Sequence, residues 1–241
     1  MSEYGDHDTL TSDRLAAQEQ VRGYLNAAES GDPSAQYQLA MALLNGHGIT
    51  HDAKLARQWF ALAGQQLAAA TNMLGRCWEK GWGGPKNEVL ARQHYQRAIK
   101  QGSLWARYNL ANMYATGRGG ACDQTRALHL YQEAALAGHA GSMNLLGRCL
   151  EEGIACSAQP EAALYWYEQS AQAGDFRGQF SLAAVYYAQG NYTDCCHWLW
   201  QALHNGHSAF IKQAAKQLTY FTDPQLADVV KAFQEKAEKI A

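Results

Sequence analysis

Apolar and small residues recur along this chain at helical spacing. One segment reads Ala35-x3-Leu39-Ala40-x2-Leu43-x2-Gly46, and its counterparts are Ala70…Leu74-Gly75…Gly81, Ala106…Leu110-Ala111…Gly117, Ser142…Leu146-Gly147…Gly153 and Gly178…Leu182-Ala183. Residues four apart share a helical face, so each segment predicts a helix whose small positions let a neighbour approach closely. Gly46, Gly81, Gly117 and Gly153 are placed to stop these helices. A second kind of segment carries Ala56-x3-Phe60, Ala91-x3-Tyr95, Ala127-x3-Tyr131 and Ala163-x3-Tyr167. It predicts a partner helix in which the aromatic ring is the largest anchor of the buried stripe.

These two helices alternate with a fixed period. The anchors Tyr24, Phe60, Tyr95, Tyr131 and Tyr167 follow one another at steps of about 36 residues, and only the last step, to Leu199, is shorter. One helical stretch after each anchor stands a small residue that ends the helix, namely Gly31, Gly102, Gly138, Gly174 and Gly206, with Leu67 in the one degenerate copy. Such a period marks a solenoid of stacked helix pairs, and solenoids offer long surfaces for binding. The expected organisation is a polar, disordered tail over 1–11, a repeat solenoid over 12–206 that opens with a lone helix at 12–29, and a C-terminal capping helix pair over 207–241. Pro85 and Pro160 fall just ahead of second helices, where a missing N–H matters least, and Gly190-Asn191-Tyr192 shortens the fifth unit. Asp223-Pro224 begins the last helix, with Leu226, Val230, Phe233 and Ala237 as its apolar stripe and Lys231, Glu235, Lys236, Glu238 and Lys239 outward. The pattern predicts an all-α chain of about thirteen helices with no sheet.

Charge narrows the function classes. Twenty basic and 22 acidic residues give a formal net charge of −2 without long runs, so the basic stripe of a nucleic-acid binder is missing. No apolar run approaches the roughly 18 residues of a membrane span, and Met1-Ser-Glu-Tyr-Gly-Asp has neither the basic nor the apolar segment of a secretory signal. A cytoplasmic protein with reduced thiols at its six cysteines is therefore expected.

Set side by side, the phrases resemble the Sel1-like repeat, a relative of the tetratricopeptide repeat. Leu110-Ala111-Asn112-Met113-Tyr114…Gly117-Arg118-Gly119, Asp123 and Ala127…Tyr131…Ala134-Ala135…Gly138 carry the resemblance, as does the loop Gly46-His47-Gly48-Ile49-Thr50-His51-Asp52. The period of about 36 exceeds the roughly 34 of the tetratricopeptide repeat itself. The resemblance implies a right-handed α/α superhelix that serves as a non-enzymatic adaptor or scaffold for protein complexes, often in bacterial signalling, envelope or host-interaction settings. It also implies that first helices line a concave groove. Cysteine-rich members, secreted and linked to β-lactam binding, repeat in every unit a pair of cysteines about eight residues apart, whereas here Cys149 and Cys156 are seven apart and occur once.

With that orientation, two columns point into the groove. Two positions before each buried leucine stand Tyr37, Asn72, Tyr108, Asn144 and Phe180, and two positions after it stand Met41, Arg76, Asn112, Arg148 and Ala184. Asn72-Met-Leu-Gly-Arg-Cys and Asn144-Leu-Leu-Gly-Arg-Cys are nearly identical and stand two repeats apart, which suggests a double unit. Asparagine pairs with peptide amides, arginine takes a carboxylate through two N–H bonds, and aromatics supply anchoring area. Tyr37, Asn72, Arg76, Trp105, Tyr108, Asn112, Asn144, Arg148 and Phe180 are thus the candidate partner-binding residues. The plainer alternative is that duplication repeats these residues and that Arg76 and Arg148 pair with Glu79, Glu151 or Glu152 as solvated helix contacts.

Other chemistry finds less support. Cys195-Cys196-His197, with Cys156, His204 and His207, is the one group resembling metal ligands, but adjacent helical residues point about 100° apart. Cys77 and Cys149 read as small core residues, and His94 and His129 as partly buried structural ones. Cys122 and Cys156 lie in inter-helix loops, where a reversible disulfide is the alternative to two exposed thiols. Gly81-Trp-Gly-Gly84 and Gly117-Arg-Gly-Gly120 are not followed by Lys-Ser/Thr and read as turns. No Gly-x-Ser-x-Gly occurs. The expectation is an adaptor that binds a protein or extended peptide, with no cofactor, metal or catalytic residue. A helical-repeat nucleic-acid binder and a β-lactam-binding, hydrolase-like protein are the alternatives.

Overall fold

The computed structural model describes residues 5–240, with side chains from residue 13. Among the described residues there are thirteen α-helices and two 3-10 turns, Leu218–Tyr220 and Pro224–Leu226, and no strand. The chain divides into two compact units at Asp123 and Gln124. The first holds α1 (Gly5–Glu29), α2 (Pro33–Asn45), α3 (Ala53–Ala63), α4 (Ala68–Lys80), α5 (Glu88–Lys100) and α6 (Leu104–Thr116). The second holds α7 (Gln124–Leu136), α8 (Ala140–Glu152), α9 (Pro160–Gln172), α10 (Phe176–Ala188), α11 (Tyr192–Asn205), α12 (Ser208–Gln217) and α13 (Ala227–Lys239). Within each unit nearly every helix packs on the next in sequence, and first helices also touch one another, α4 with α6 and α8 with α10.

Local chemistry sets the helix limits. Asp32, Asp52, Asn87 and Ser103 accept backbone N–H bonds at the starts of α2, α3, α5 and α6, satisfying donors that the helix leaves over. Gly46, Gly81, Gly117 and Gly153 end first helices in the left-handed conformation, with φ of 69°, 75°, 69° and 68°. The α1 helix begins at Gly5, so residues 5–11 of the expected disordered tail are helical, and residues 1–4 lie outside the described ones.

The core follows the repeat. Phe60, Tyr95, Tyr131, Tyr167 and Leu199 are all buried, as are their first-helix counterparts Leu39, Leu74, Leu110, Leu146 and Leu182. At the C-terminal end, Leu226, Val229 and Phe233 are buried while Val230 is half-exposed, which corrects the expected stripe. The 3-10 turn that carries Leu226 shifts the helical phase, so Val229 takes the inward position. Trp198 packs inward and Trp200 faces out.

Two glycines make room for the aromatic anchors. A Cβ on Gly75 would stand 2.7 Å from the Tyr95 ring, and one on Gly147 would stand 2.7 Å from that of Tyr167. Both rings are buried and their hydroxyls are bonded, so they have nowhere to move. Gly75→Ala and Gly147→Ala should each destabilise by about 1–3 kcal/mol through overpacking, which exceeds the roughly 0.5–1 kcal/mol that alanine gains in a helix. Gly23→Ala, in α1 with nothing within 4 Å of the added Cβ, should stabilise instead. Thermal unfolding of the three variants checks these opposite signs.

Candidate protein-binding faces of the first helices

In the first unit the candidate residues separate into surface and interior. Trp105 is 61% exposed at the start of α6 and meets Tyr108 edge-on with ring centroids 6.3 Å apart. Asn112, one turn beyond Tyr108, is half-exposed. On α4, Arg76 lies over the Trp82 ring at 5.1 Å and points Nη1 at the Met73 sulfur, 3.4 Å away. Tyr37 is half-buried against Phe60, with centroids 5.8 Å apart. Asn72 is only 7% exposed, and its Oδ1 accepts from Asn109 Nδ2 at 2.9 Å, tying α4 to α6. That amide braces two neighbouring helices and is turned away from solvent.

The second unit shows the same division. Arg148 is exposed on α8, and Phe180 is half-buried edge-on to Phe210 at 5.7 Å. Asn144 is 7% exposed, and its Oδ1 has no hydrogen-bond partner among the described residues. The two asparagines expected to line a groove are therefore interior groups. For Asn72 the neighbouring first helix supplies the contact, through Asn109.

Neither arginine pairs with Glu79, Glu151 or Glu152 as the plainer alternative has it, Arg76 lying over Trp82 instead. Tyr95 donates to Glu79 Oε2 at 2.6 Å, while Arg118 Nη1 and Lys80 Nζ approach Oε1. In the second unit, Tyr167 donates to Glu151 Oε2 at 2.6 Å. The two pairs stand two repeats apart, so the near-identity of the two phrases carries a tyrosine–glutamate clamp that residue types alone did not single out. A buried phenol needs an acceptor, which is the signal that could have found it. Burial pushes the Tyr95 and Tyr167 hydroxyls far up, and the adjacent carboxylates add to this. For Glu79, burial opposes the charge, but hydrogen bonds from Tyr95 and Lys80 and the charges of Lys80 and Arg118 outweigh it, holding the carboxyl below its usual range.

The remaining candidate chemistry is absorbed into packing. Arg57 sits 3.2 Å over Trp78, whose other neighbour His94 stacks at 6.5 Å and 7°. Burial first, then the charges of Arg97 and Arg57, lower the His94 pKa. His129 is exposed beside Glu133, 3.6 Å away, and not partly buried as expected, because its position on α7 turns outward. No disulfide is formed among the described residues. Cys122 and Cys156 each direct Sγ at a backbone carbonyl, of Ala115 at 3.4 Å and of Cys149 at 3.7 Å. Cys77, Cys149 and Cys195 are buried, and burial pushes Cys77 up to about 11 and Cys195 up to about 12. Among the described residues no three His, Cys, Asp or Glu side chains are grouped to hold a metal, and His197 turns edge-on to Trp198 at 5.1 Å. No helix among them is long and apolar enough to cross a membrane.

Two measurements follow from these environments. Alkylation of the native protein should modify Cys122 first and Cys77, Cys149 and Cys195 last, read by mass spectrometry of peptides. The Glu79 pKa is depressed on folding, so its contribution to stability is full above the unfolded value of about 4.3 and is lost as pH falls through the folded value. The stability gap between wild type and Glu79→Gln should therefore shrink on acidification below about pH 4. Parallel urea midpoints across that range would contradict the clamp.

A family model for the Sel1 repeat matches residues 33–66, 68–103, 106–139 and 140–175. These spans correspond to α2–α3, α4–α5, α6–α7 and α8–α9, with α6 starting at Leu104, just ahead of its span. No curated protein sequence matches the chain. Among solved structures, a Sel1 repeat protein from Oxalobacter formigenes aligns with a TM-score of 0.76 at 24% identity, over 92% of this chain and 91% of that one. A protective antigen of uropathogenic Escherichia coli, with an SLR fold, aligns with a TM-score of 0.68 at 27% identity over 92% of this chain. This chain spans about half of that antigen, 49%. An immunity protein from Pseudomonas aeruginosa shares the fold at a TM-score of 0.60 and 18% identity, over 86% of this chain and 81% of that one. Proteins of this repeat class are generally scaffolds for protein–protein interaction and typically non-catalytic. With four consecutive matched repeats and an all-helical solenoid fold, this chain belongs to the Sel1 repeat family.

Proposed function

We propose that this protein is a non-enzymatic scaffold that holds a partner protein through an extended peptide laid on the faces of its first helices. Trp105 carries the reading. A tryptophan 61% exposed and edge-on to Tyr108, with the half-exposed Asn112 one turn beyond that tyrosine, offers area with a polar group near it. Exposed side chains of this size are anchors for a partner, since tryptophan, tyrosine and arginine dominate binding energy at interfaces. Tyr37 and Arg76 extend this face in the first unit. In the second unit Arg148 and Phe180 hold the matching positions. Asn72 supports the face from within by bonding Asn109 across α4 and α6.

The test is affinity capture from native-host extract with mass spectrometry, comparing wild type, Trp105→Ala, Arg76→Glu/Arg148→Glu and a control, Tyr220→Ala. Tyr220 is 79% exposed in the turn after α12, and it is the backbone carbonyl, which the substitution keeps, that accepts from Tyr187 of α10. A partner bound by wild type and by the control should be lost from the other two. For the purified pair, truncating Trp105 should weaken binding about 30-fold or more, the scale of an interface hot spot. Equal retention by all four proteins overturns the reading.

A further inference from the structure

The two tyrosine–glutamate clamps differ in what covers them. In the first unit, the loop after α6 lays Arg118 on Glu79 Oε1, and Glu79 is only 7% exposed. That loop is braced by α5. Arg92 donates to the carbonyls of Arg118 at 2.6 Å and of Met113 and Ala121 at 3.1 Å, and Glu88 Oε2 accepts from Gly119 N at 3.1 Å.

Every part of this cover is replaced two repeats further along. Glu88 becomes Pro160 and Arg92 becomes Leu164, so neither brace remains. The position matching Arg118 is Gly190, which has no side chain to lay on the clamp, in a short connection between α10 and α11. Val89 becomes Glu161, which adds a second carboxylate. The result is a pocket of about 200 Å³ between α8, α9 and α10, with Glu151, Glu161 and Gln189 on its polar side and Pro160, Leu164 and Val185 among its walls. Glu151 is exposed, and with Tyr167 on Oε2 its Oε1 is the oxygen that in Glu79 takes the guanidinium.

We propose that this pocket binds the side chain of an arginine presented by a partner peptide. The same chain supplies the precedent, because its own Arg118 occupies the matching oxygen in the first unit. The volume is below the roughly 300 Å³ of small-molecule sites and is on the scale of one side chain. The aliphatic stem of the arginine packs on Leu164 and Val185, and the guanidinium donates to Glu151 Oε1 with Glu161 alongside. A planar fork suits this better than a lysine ammonium. The inference deepens the scaffold reading by naming a side chain of the partner, at a place separate from the Trp105 face.

The probes are N-acetyl-arginine amide and its uncharged isostere N-acetyl-citrulline amide, titrated into the full chain and followed by NMR. The arginine probe should give saturable shifts at Tyr167, Leu164 and Val185, and the citrulline probe should not. Glu151→Gln should weaken the arginine probe about tenfold or more, as expected for losing a charge-assisted pair. Glu161→Gln, which leaves the clamp intact, should weaken it by a smaller factor, so a fold defect in Glu151→Gln leaves the test decisive. Trp105→Ala should bind the probe like wild type. Absence of saturable binding, or equal response to both probes, overturns the pocket assignment while leaving partner capture through Trp105 standing. Equal capture by all four proteins with intact probe binding sinks only the first-helix reading.

Discussion

The fold depends on burying one large anchor per repeat against a small residue on the preceding helix. Tyr95 reaches its place because Gly75 has no side chain, and Tyr167 because Gly147 has none. Phe60 shares a core with Ala40, and Leu199 with Ala183, the same small positions elsewhere in the repeat. A helix pair cannot bury its apolar stripe alone, so each pair requires its neighbours, and the anchor is the group that makes the contact. Alanine and glycine at these sites set how closely the helices approach, and the ring fills the space that results.

Using tyrosine as the anchor brings a second requirement. Its hydroxyl arrives in the interior and must be bonded, and glutamate at the end of the first helix accepts it in both units. A carboxylate near the core then needs either a counter-charge or access to water. The first unit supplies Arg118 from a braced loop. The second unit has lost the loop and its braces together and leaves the carboxylate in an open pocket. One packing solution thus has two surface outcomes, closed in one repeat and open in the other.

The first-helix faces show how interior and surface roles mix at neighbouring positions. Asn72 bonds Asn109 across helices, while Arg76, one turn away, lies over Trp82. A residue four along a helix shares a face, but whether that face meets solvent or a neighbour depends on how the next helix leans. Trp105, exposed and edge-on to the half-buried Tyr108, lies on the outside of such a helix, and it supports the scaffold reading.

Much of the architecture was legible in the residues alone. The period placed the anchors Phe60 to Leu199, the glycine stops at 46, 81, 117 and 153, and the buried thiols of Cys77 and Cys149, because burial and helix termination are local consequences of spacing and conformational freedom. Other features required distances across the fold. Val229 replaced Val230 through a 3-10 turn, His129 faced outward, and the two asparagines turned inward. Glu79 and Glu151 read alike in sequence and ended in different environments, since a loop from the following repeat closes one and has no equivalent for the other. By itself the sequence determined the repeat, its helices and its core, which follow from periodic burial. Only the tertiary structure decided which polar side chains are satisfied inside and which remain at the surface, because hydrogen bonds and ion pairs between distant residues are set by contact geometry that periodicity does not encode.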